Sequence, residues 1–379
     1  MSNQLNTSQL LPIGTILNNT YRIETYLASG GFGNTYLVTD IKQVKCFAIK
    51  EFFYRDICNR DRNRKSVSIT KTSDKELYTE LRNKFKKEAS LLMKLHNEHI
   101  VKVHKFFEEN NTSYYVMDFI NGQSLDSVLE SGAIEETKVI DYMYQIFEAL
   151  KPIHKKNVFH LDIKPANIML DYKDDVILID FGSSKNIDNS GNLTTNSRTG
   201  FCVTRSFSPI ELSSPADDYS NIGPWTDIYE LGATLYNLLT NYTPPTSDEI
   251  MTKGKSAFHF PTRITNATRD LIIQMMKPNR NDRPQNINEV RGIYQRFAGV
   301  EVVEVLHREG IASKIIDTPD SRSSYNSSSA DDEYVYCDEE EGTNRYSKFC
   351  DKYEEWIAAL ISILSLLVAS FFLVSTCTN

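Results

Sequence analysis

The sequence is poor in cysteine, and its six cysteines include no Cys-x-x-Cys pair and none beside a histidine. That spacing fits neither a zinc site nor a disulfide framework, so we expect a reducing compartment. An excess of basic residues is also missing. Lys and Arg number 42 against 50 Asp and Glu, and the net charge of −8 argues against nucleic acid as a partner.

A secretory leader is missing from the start of the sequence. Residues 1–11 are rich in Asn, Gln and Ser and contain neither a basic stretch nor an apolar one. A signal peptide needs both of these, so we do not expect one here. Residues 1–15 are instead predicted to be a disordered lead-in.

Charge is missing from residues 357–374, a run interrupted only by small residues and three serines. As a helix it would extend about 27 Å, close to the thickness of a bilayer core. Trp356 lies at its entrance, where an interfacial aromatic is expected. We predict a single-pass tail anchor in membrane lipid, followed by a short tail, 375–379, with the main body facing the cytoplasm. The alternative, a buried helix of the soluble domain, is disfavoured by the run's all-round hydrophobicity.

Residues 299–356 read as an acidic, Ser-rich juxtamembrane linker. Serines crowd positions 321–329, and acidic clusters follow at 331–333 and 338–341. Such a stretch buries too little apolar surface to fold alone. We interpret it as a solvated spacer, extended by its own repulsion. The alternative is a tail that accepts phosphate or docks a partner.

Two patterns follow one another in residues 16–298. Strand-like segments dominate from Tyr21 to Phe119, with one helical stretch from Tyr78 to Leu95. From Leu125 onward the apolar residues recur mostly at helical spacing. The predicted helices there are 137–154, 225–239, 268–276 and 287–297. The expected fold class is therefore α+β.

The most informative residues lie in the stretch 160–167, which reads His-Leu-Asp-Ile-Lys-Pro-Ala-Asn, and in the Asp-Phe-Gly that begins at Asp180. Asp162 can accept or orient a hydroxyl proton, because a carboxylate is ionised at neutral pH. Lys164 offers a compact positive charge to a transferring phosphate. Asn167 and Asp180 supply the oxygen ligands that Mg²⁺ requires. These residue types at these spacings indicate phosphoryl transfer.

Those motifs resemble the catalytic loop and the magnesium-binding tripeptide of the eukaryotic-like (Hanks-type) serine/threonine protein kinase family, in its bacterial type. The resemblance covers residues 17–297. It implies a two-lobed kinase fold with a small strand-rich lobe and a larger helical lobe, ATP and Mg²⁺ as cofactors, and protein substrates phosphorylated on Ser or Thr. The implied catalytic residues are Asp162, Lys164, Lys50 and Glu88, and the implied metal ligands are Asn167 and Asp180.

ATP-binding residues are also implied by the resemblance. Residues 27–35 resemble the glycine-rich loop, where glycine lets backbone N–H groups approach phosphate oxygens. Lys50 matches the strand lysine that holds the α- and β-phosphates. Its expected partner is Glu88, although Glu76 and Glu80 offer other registers. The implied ATP-binding residues are Ala28, Ser29, Gly30, Gly31, Phe32, Gly33, Thr35, Ala48, Lys50, Met117, Asp118, Ile120 and Met169.

Five further residues resemble supporting positions of the family. His160 is expected to pack in a hydrophobic spine, and Asp227 to anchor the backbone of the catalytic loop. Glu211 and Arg283 resemble a buried ion pair of the large lobe. Thr204 resembles the threonine that bridges the catalytic Asp and Lys, the alternative being an ordinary loop threonine.

Three positions depart from the family pattern. Ala28 replaces the first glycine of the loop, and Thr35 replaces a valine that packs on adenine, so nucleotide affinity is tuned. Leu161 stands where most members regulated by activation-segment phosphorylation carry an Arg that pairs with the phosphate. We therefore expect that phosphorylation does not switch activity through that contact. The candidate phosphoacceptors are Thr194, Thr195, Ser197 and Thr199.

The spacing between Lys50 and Glu88 exceeds the family's usual, and the extra residues are basic. We interpret them as a solvated loop. The alternative is contact with anionic lipid or with an acidic partner. The basic residues of this insert are Arg55, Arg60, Arg62, Arg64, Lys65 and Lys71.

A membrane-anchored serine/threonine protein kinase is therefore the leading interpretation. The alternative from another class is a pseudokinase that serves as a membrane-bound binding scaffold. A pseudokinase usually lacks at least one of four residues that are all present here, Lys50, Asp162, Asn167 and Asp180. A small-molecule kinase is a further alternative, which the segment 199–211 disfavours because it resembles a peptide-substrate platform.

Overall fold

The computed structural model of the protein describes residues 7–30, 33–186, 204–212 and 221–308. The small lobe is built mainly of strands, because these segments are rich in β-branched and aromatic residues. Six of its strands form one antiparallel sheet, and the other two pair as a separate hairpin. The strands are β1 (Ile16–Leu17), β2 (Tyr21–Gly30), β3 (Gly33–Asp40), β4 (Lys45–Phe52), β5 (Cys58–Arg60), β6 (Val67–Ile69), β7 (Val103–Glu109) and β8 (Thr112–Asp118). The sheet order is β1–β2–β3–β4–β8–β7, and the hairpin is β5–β6.

One long helix, α1 (Lys75–Leu92), packs on the inner side of this sheet. It forms because its apolar residues recur every three or four positions and so share one face, which is buried. The ring of Phe85 stacks on that of Tyr115 in β8 at 4.9 Å. The helix lies three residues earlier than the predicted 78–95. Its buried residues are Tyr78, Leu81, Phe85, Glu88, Ala89 and Leu92.

The large lobe is helical and is organised around α4 (Pro224–Thr240). This helix is apolar on nearly all sides and is buried from Thr226 to Leu235, as expected of a helix at the centre of a lobe. Gly232 lets it approach its neighbour closely, since a Cβ there would lie 2.9 Å from the Cβ of Met275. The other helices are α2 (Leu125–Leu129), α3 (Glu136–His154), α5 (Ser247–Lys253), α6 (Asn266–Met275) and α7 (Ile287–Arg308).

Short strands between the lobes flank the motif residues. They are β9 (Gly122–Ser124), β10 (Val158–Phe159), β11 (Ile168–Asp171), β12 (Val176–Leu178) and β13 (Lys185–Asn186). β11 pairs with both β12 and β9, and β10 pairs with β13. The stretch 160–167 thus connects β10 to β11, and Asp180 follows β12 directly. Both motifs therefore lie in the cleft beneath the small lobe.

The two-lobed α+β fold predicted from the sequence is confirmed. Two boundaries differ. Residues 8–15 are not a disordered lead-in, since Leu11 is 4% exposed and its backbone N–H donates to the hydroxyl of Tyr36 at 3.1 Å. Helix α7 continues to Arg308, beyond position 298, where the sequence analysis ends the domain.

Among the described residues, no helix is both long enough and apolar enough to cross a membrane. The predicted transmembrane run 357–374 and the tail 375–379 lie outside those residues, as does the linker from position 309 onward. The candidate phosphoacceptors Thr194, Thr195, Ser197 and Thr199 lie outside them too.

Candidate active site

Lys50 lies at the centre of the cleft and joins its two sides. Its Nζ is 3.1 Å from Oε1 of Glu88 on α1 and 2.8 Å from Oδ1 of Asp180. The hydroxyl of Tyr115 donates to the same Oε1 of Glu88 at 2.8 Å. The structure therefore selects Glu88, not Glu76 or Glu80, as the partner of Lys50. It brings together three residues that are 38 and 130 positions apart in the chain.

Opposite charges set the ionisation of this cluster. Burial alone would lower the pKa of Lys50, but the carboxylates of Asp180 and Glu88 outweigh it and raise that pKa well above its ordinary value. Burial alone would raise the pKa of Asp180, but the Lys50 ammonium outweighs it and lowers that pKa to about 2. Both groups are therefore charged at neutral pH.

Asp162 is held by two neighbours from its own loop. Lys164 Nζ lies 2.9 Å from Oδ1 of Asp162, and Asn167 Nδ2 donates to Oδ2 at 2.8 Å. Lys164 also donates to Oγ1 of Thr204 at 3.0 Å. Thr204 thus contacts the Lys of the expected pair, as the resemblance implies. The carboxylate of Asp162 is therefore held in one orientation, and Lys164 contacts both Asp162 and Thr204.

The pKa of Asp162 is raised above its ordinary value. Burial is the main cause, and the hydrogen bond and charge of Lys164 oppose it. A carboxylate with a raised pKa is a better proton acceptor while it is still ionised. Asp162 therefore suits the role of a base or of an orienting acceptor for a hydroxyl group.

The backbone of this loop is anchored to Asp227 in α4. The carboxylate accepts hydrogen bonds from the backbone N–H of His160 at 3.0 Å and of Leu161 at 2.9 Å, and His154 Nε2 lies 2.7 Å from it. Leu161 has a φ of 61°, in the left-handed region that residues with a Cβ seldom adopt. The two hydrogen bonds stabilise that conformation, which turns Asp162 towards the cleft.

Most of the implied ATP-binding residues lie on β2, β3, β4 and β8 of the small-lobe sheet and on β11. Ala28 pairs with Thr35, Ser29 with Asn34, and Gly30 with Gly33, so β2 and β3 lead directly into the loop tip. Gly31 and Phe32 at that tip lie outside the described residues. Gly33 serves close packing, since a Cβ there would lie 1.9 Å from the carbonyl oxygen of Glu51.

The hinge side of the cleft is formed by β4, β8 and β11. Ala48 pairs with Met117 across β4 and β8, and Met169 lies on β11 below them. Asp118 ends β8, and its Oδ1 lies 2.7 Å from Nε2 of His104. Ile120 lies two residues after Asp118. Ala48 is buried, whereas the side chains of Met117 and Met169 are only partly covered. A planar base could therefore be held between them.

Asn167 and Asp180 are chemically suited to Mg²⁺. Asn167 uses its Nδ2 to hold Asp162, so its carbonyl oxygen is the atom of hard-ligand type that remains. Asp180 is 38% exposed although Lys50 holds one of its oxygens. Its Oδ2 is directed towards the glycine-rich loop, 4.0 Å from where a Cβ of Gly30 would lie. Mg²⁺ usually binds in this way, through one or two such ligands together with phosphates and water.

A model of the protein kinase domain matches residues 21–292, more than half of the chain. The chain belongs to the protein kinase family. The prediction of a eukaryotic-like serine/threonine kinase of bacterial type is confirmed at the level of family.

Bacterial serine/threonine kinases are among the relatives that share this domain. A probable serine/threonine-protein kinase of Clostridium acetobutylicum is 31% identical over 287 residues, which are 73% of this chain and 40% of the relative. Serine/threonine-protein kinase D of Synechocystis is 35% identical over 231 residues, 59% of this chain and 41% of the relative. The chain thus spans less than half the length of these relatives. Among solved structures, the PpkA-294 apo form has a TM-score of 0.65 and 26% identity, covering 76% of this chain and 99% of that one.

Supporting contacts of the kinase fold are in place. His160 is fully buried, and its ring lies 4.6 Å from that of Phe181 in an edge-to-face contact. Arg283 binds Glu211 with both ends of its guanidinium, at 2.6 and 3.1 Å. Neither side chain is more than 6% exposed. These contacts hold the floor of the cleft against the helices below it.

Leu161 contributes to an apolar contact in this kinase. It is 2% exposed and forms a small buried cluster with Phe159 of β10, Leu212 and Ile222. Phosphate-reading members of the family carry a cation at this position, according to the resemblance. Here hydrophobic packing at the same place joins the catalytic loop to two residues that precede α4, Leu212 and Ile222.

Glu230 is a site residue that the sequence analysis did not single out. It is 1% exposed in α4, and its Oε2 accepts the backbone N–H of Ile163 at 2.8 Å, between Asp162 and Lys164. Its Oε1 is buried and has no hydrogen-bond partner among the described residues. A signal was available, because Glu230 is a lone charge in an apolar stretch from Ile228 to Leu239.

Arg60 departs from the solvated loop predicted for the basic insert. Its guanidinium is 1% exposed and binds the carboxylate of Glu51, which is fully buried, at 2.6 and 2.9 Å. Arg62, Arg64, Lys65 and Lys71 are exposed, as that prediction expects. Arg55 reaches the glycine-rich loop, where it donates to the hydroxyl of Ser29. No local sequence pattern identifies Arg60, since its partner lies in another strand.

Proposed function

We propose that this protein is an active serine/threonine protein kinase that transfers the γ-phosphate of ATP to protein hydroxyls. The observation that carries the proposal is the contact of Lys50 with both Glu88 and Asp180, at 3.1 and 2.8 Å. This contact links the small-lobe strand, the small-lobe helix and the metal-ligand tripeptide in one charged cluster. In the kinase family the pair of this lysine with the helix glutamate must be in place for phosphoryl transfer, as must Mg²⁺ on the aspartate of the tripeptide.

Each residue has a distinct part in the proposed reaction. Lys50 holds the non-transferred phosphates, and Glu88 keeps its ammonium in place. Asp162 orients the substrate hydroxyl, whose oxygen forms a bond to the γ-phosphorus while the bond from that phosphorus to the bridging oxygen of ADP breaks. The hydroxyl proton passes to Asp162. Mg²⁺, bound by Asn167 and Asp180, would neutralise the phosphate oxygens.

Lys164 completes the site from the large lobe. It lies 2.9 Å from Asp162 and 3.0 Å from Thr204, so it stands between the base and the segment that would bear the substrate. Its positive charge is placed to stabilise the transferring phosphate, whose negative charge is spread over its three outer oxygens in the transition state. The hydrogen bond to Thr204 fixes the ammonium in that place before substrate binds.

Phosphate transfer to Ser or Thr is the direct test. The chain is incubated with labelled ATP and Mg²⁺ and a generic protein substrate, and the phosphorylated sites are mapped by mass spectrometry. Asp162→Asn is the control, because it keeps the size of the side chain but replaces the carboxylate by an amide, which cannot act as the base. It should retain nucleotide binding and lose turnover by several orders of magnitude, given how much positioning contributes. Near-normal turnover in this variant would contradict the assignment.

The pseudokinase scaffold is the competing proposal. It requires a cleft that binds without transferring phosphate, and the departures Ala28, Thr35 and Leu161 favour it. The paired Lys50 and the oriented Asp162 weigh against it, because a scaffold has no need of either. An unmodified chain that binds Mg²⁺ and ATP but phosphorylates nothing would favour the scaffold over the kinase.

Membrane anchoring is proposed for the C-terminal region. Its support is the uncharged run 357–374 with Trp356 at its entrance and Lys348 and Lys352 before it. The kinase domain would then face the cytoplasm at the end of an acidic spacer. ATP and protein substrates would reach the cleft from that side.

A further inference from the structure

The β5–β6 hairpin is attached to β4 by a buried ion pair. Arg60 donates from both terminal nitrogens to the carboxylate of Glu51, and neither side chain is more than 1% exposed. The guanidinium also lies 4.8 Å from the ring centre of Phe53 and donates to the carbonyl oxygen of Gln9 at 2.9 and 3.1 Å. Glu51 directly follows Lys50 on β4. The ion pair therefore fixes the strand that carries the phosphate-binding lysine.

The carboxylate of Glu51 ties this attachment to the rest of the sheet. It accepts hydrogen bonds from Tyr36 at 3.1 Å, from Tyr114 at 3.0 Å and from Asn34 at 3.3 Å. Tyr36 and Asn34 belong to β3, and Tyr114 belongs to β8. Asn34 in turn accepts from the hydroxyl of Ser29 at 2.7 Å. The network thus extends from the hairpin, through β4, to the glycine-rich loop.

A second attachment joins the hairpin to α1. Ile57, Cys58 and Val67 belong to the same buried apolar cluster as Tyr78 and Leu81 of the helix. The turn between β7 and β8 is shared between the hairpin and α1 as well. The N–H of Val67 donates to the carbonyl oxygen of Asn110 in that turn at 2.9 Å. The hydroxyl of Tyr78 donates to the carbonyl oxygen of the next residue, Asn111, at 2.5 Å. The hairpin and the first turns of the helix that carries Glu88 are therefore bonded to the same turn and belong to one apolar core.

We propose that the β5–β6 hairpin positions Lys50 and Glu88 for nucleotide binding, with Arg60 as its principal positioning residue. The inference rests on the proposed kinase function, whose ATP site it serves. The hairpin is joined to β4 by the ion pair, and it shares an apolar core and the β7–β8 turn with α1. Leu161 offers no cation to a phosphorylated segment, yet the Lys50–Glu88 pair is formed. The chain thus contains its own device for holding α1 in the paired position.

Three variants test this role. Arg60→Met removes the guanidinium and leaves a buried charge at Glu51. The double variant Glu51→Gln, Arg60→Met removes both charges, which relieves that penalty but leaves the hairpin detached from β4. Arg62→Met is the matched control, because it makes the same change at an exposed position of the same hairpin.

Three measurements are made on each variant of the full chain. They are the melting temperature, the affinity for a fluorescent ATP analogue with Mg²⁺, and kcat/KM for ATP. A fourth readout is the rate at which iodoacetamide alkylates Cys58, followed by mass spectrometry. Cys58 is fully buried in the hairpin, and burial raises the pKa of its thiol to about 11, so it reacts only when the hairpin opens.

The double variant decides between positioning and general stability. We expect the double variant to melt close to the parent. Its Cys58 should be alkylated about tenfold faster or more, and its kcat/KM for ATP should fall by about tenfold or more. Arg62→Met should match the parent in every measurement. Recovery of kcat/KM together with the melting temperature would overturn the proposal, since Arg60 would then only balance a charge. An equal loss in Arg62→Met would overturn it too. A parent without activity would refute the kinase function alone, because analogue binding and Cys58 alkylation still decide the role of the hairpin.

Discussion

At the scale of single residues, Glu230 has the least ordinary environment. Burial, and then the charge of Asp227 one helical turn away, raise the pKa of Glu230 well above its ordinary value. The folded protein therefore favours the neutral, protonated form of this side chain. A neutral carboxyl can accept the N–H of Ile163 without repelling Asp162 or Asp227.

Glu230→Gln should make the stability of the fold less dependent on pH. A raised pKa in the folded state stabilises fully below the unfolded value, which is near 4.5, and this stabilisation is lost as pH rises towards the folded value. The loss is at most about 1.4 kcal/mol for each pH unit. The melting temperature of the parent should therefore fall relative to the variant between pH 5 and pH 8. Glutamine also accepts the N–H of Ile163, so kcat should change little.

Glu130→Gln is the control for that measurement, because Glu130 is exposed and the substitution makes the same chemical change at the surface. Its melting temperature should follow that of the parent at every pH. If the curves of the parent and Glu230→Gln also run parallel, Glu230 is ionised in the folded protein and the assignment of a neutral side chain is wrong.

At the scale of elements, the catalytic loop is joined to its surroundings by apolar packing where a phosphate contact would otherwise lie. Phe159, Leu161, Leu212 and Ile222 form this cluster. A phosphate adds about −1.5 to −2 charges at neutral pH, and an apolar cluster gives such a group no partner. The packing instead persists whether or not the neighbouring segment is phosphorylated.

Activity should therefore survive removal of the candidate phosphoacceptors. Rates on a generic substrate are measured after phosphatase treatment, for the parent and for a variant with Ala at all four positions, and should agree within a few-fold. A drop of about a hundredfold, or about 2.7 kcal/mol of transition-state stabilisation, would show that phosphorylation is required. Arg198 or Arg205 would then be the cations to examine. The four replaced residues are Thr194, Thr195, Ser197 and Thr199.

Elements differed in how well the sequence predicted them. Helices α3, α4 and α6 begin within two residues of their predicted starts, because long apolar periodicity is decided locally. The β5–β6 hairpin has only three residues in each strand and no such period, so it was interpreted as a solvated loop. Its structure depends on the ion pair to Glu51 and on the apolar core that it shares with α1, which a local pattern does not contain.

At the scale of the whole molecule, the proposed anchor would attach the protein to the membrane, and the proposed acidic spacer would separate the kinase domain from it. Truncation after Tyr353 should give a protein that stays in the supernatant after high-speed centrifugation and keeps its kinase activity. The full chain, prepared in parallel, should sediment with membranes. The physical reason is that the removed run of 18 uncharged residues matches a bilayer core in length.

Membrane association of the truncated chain would contradict that prediction. The exposed basic residues at the tip of the β5–β6 hairpin would then be the better candidates for lipid contact, with Arg62 and Lys65 the first to replace. Arg60 would not be among them, because its guanidinium is buried against Glu51.

The sequence by itself determined the chemistry of this protein. Asp162, Lys164, Asn167 and Asp180 were identified because they lie close together in the chain, at spacings that their shared task imposes. The two-lobed fold followed from the same resemblance and from periodicity. Ala28 and Leu161 were likewise recognised as departures, since a substitution within a motif is visible without coordinates.

Only the tertiary structure decided which distant groups meet. Lys50 reaches Asp180 across 130 positions, and the choice of Glu88 over its neighbours depends on the rotation of α1. The ion pair of Arg60 with Glu51 and the raised pKa of Glu230 depend equally on how the chain packs. A charged side chain has one character in water and another when it is desolvated among fixed partners, and burial is a property of the packed chain, not of any local stretch of it.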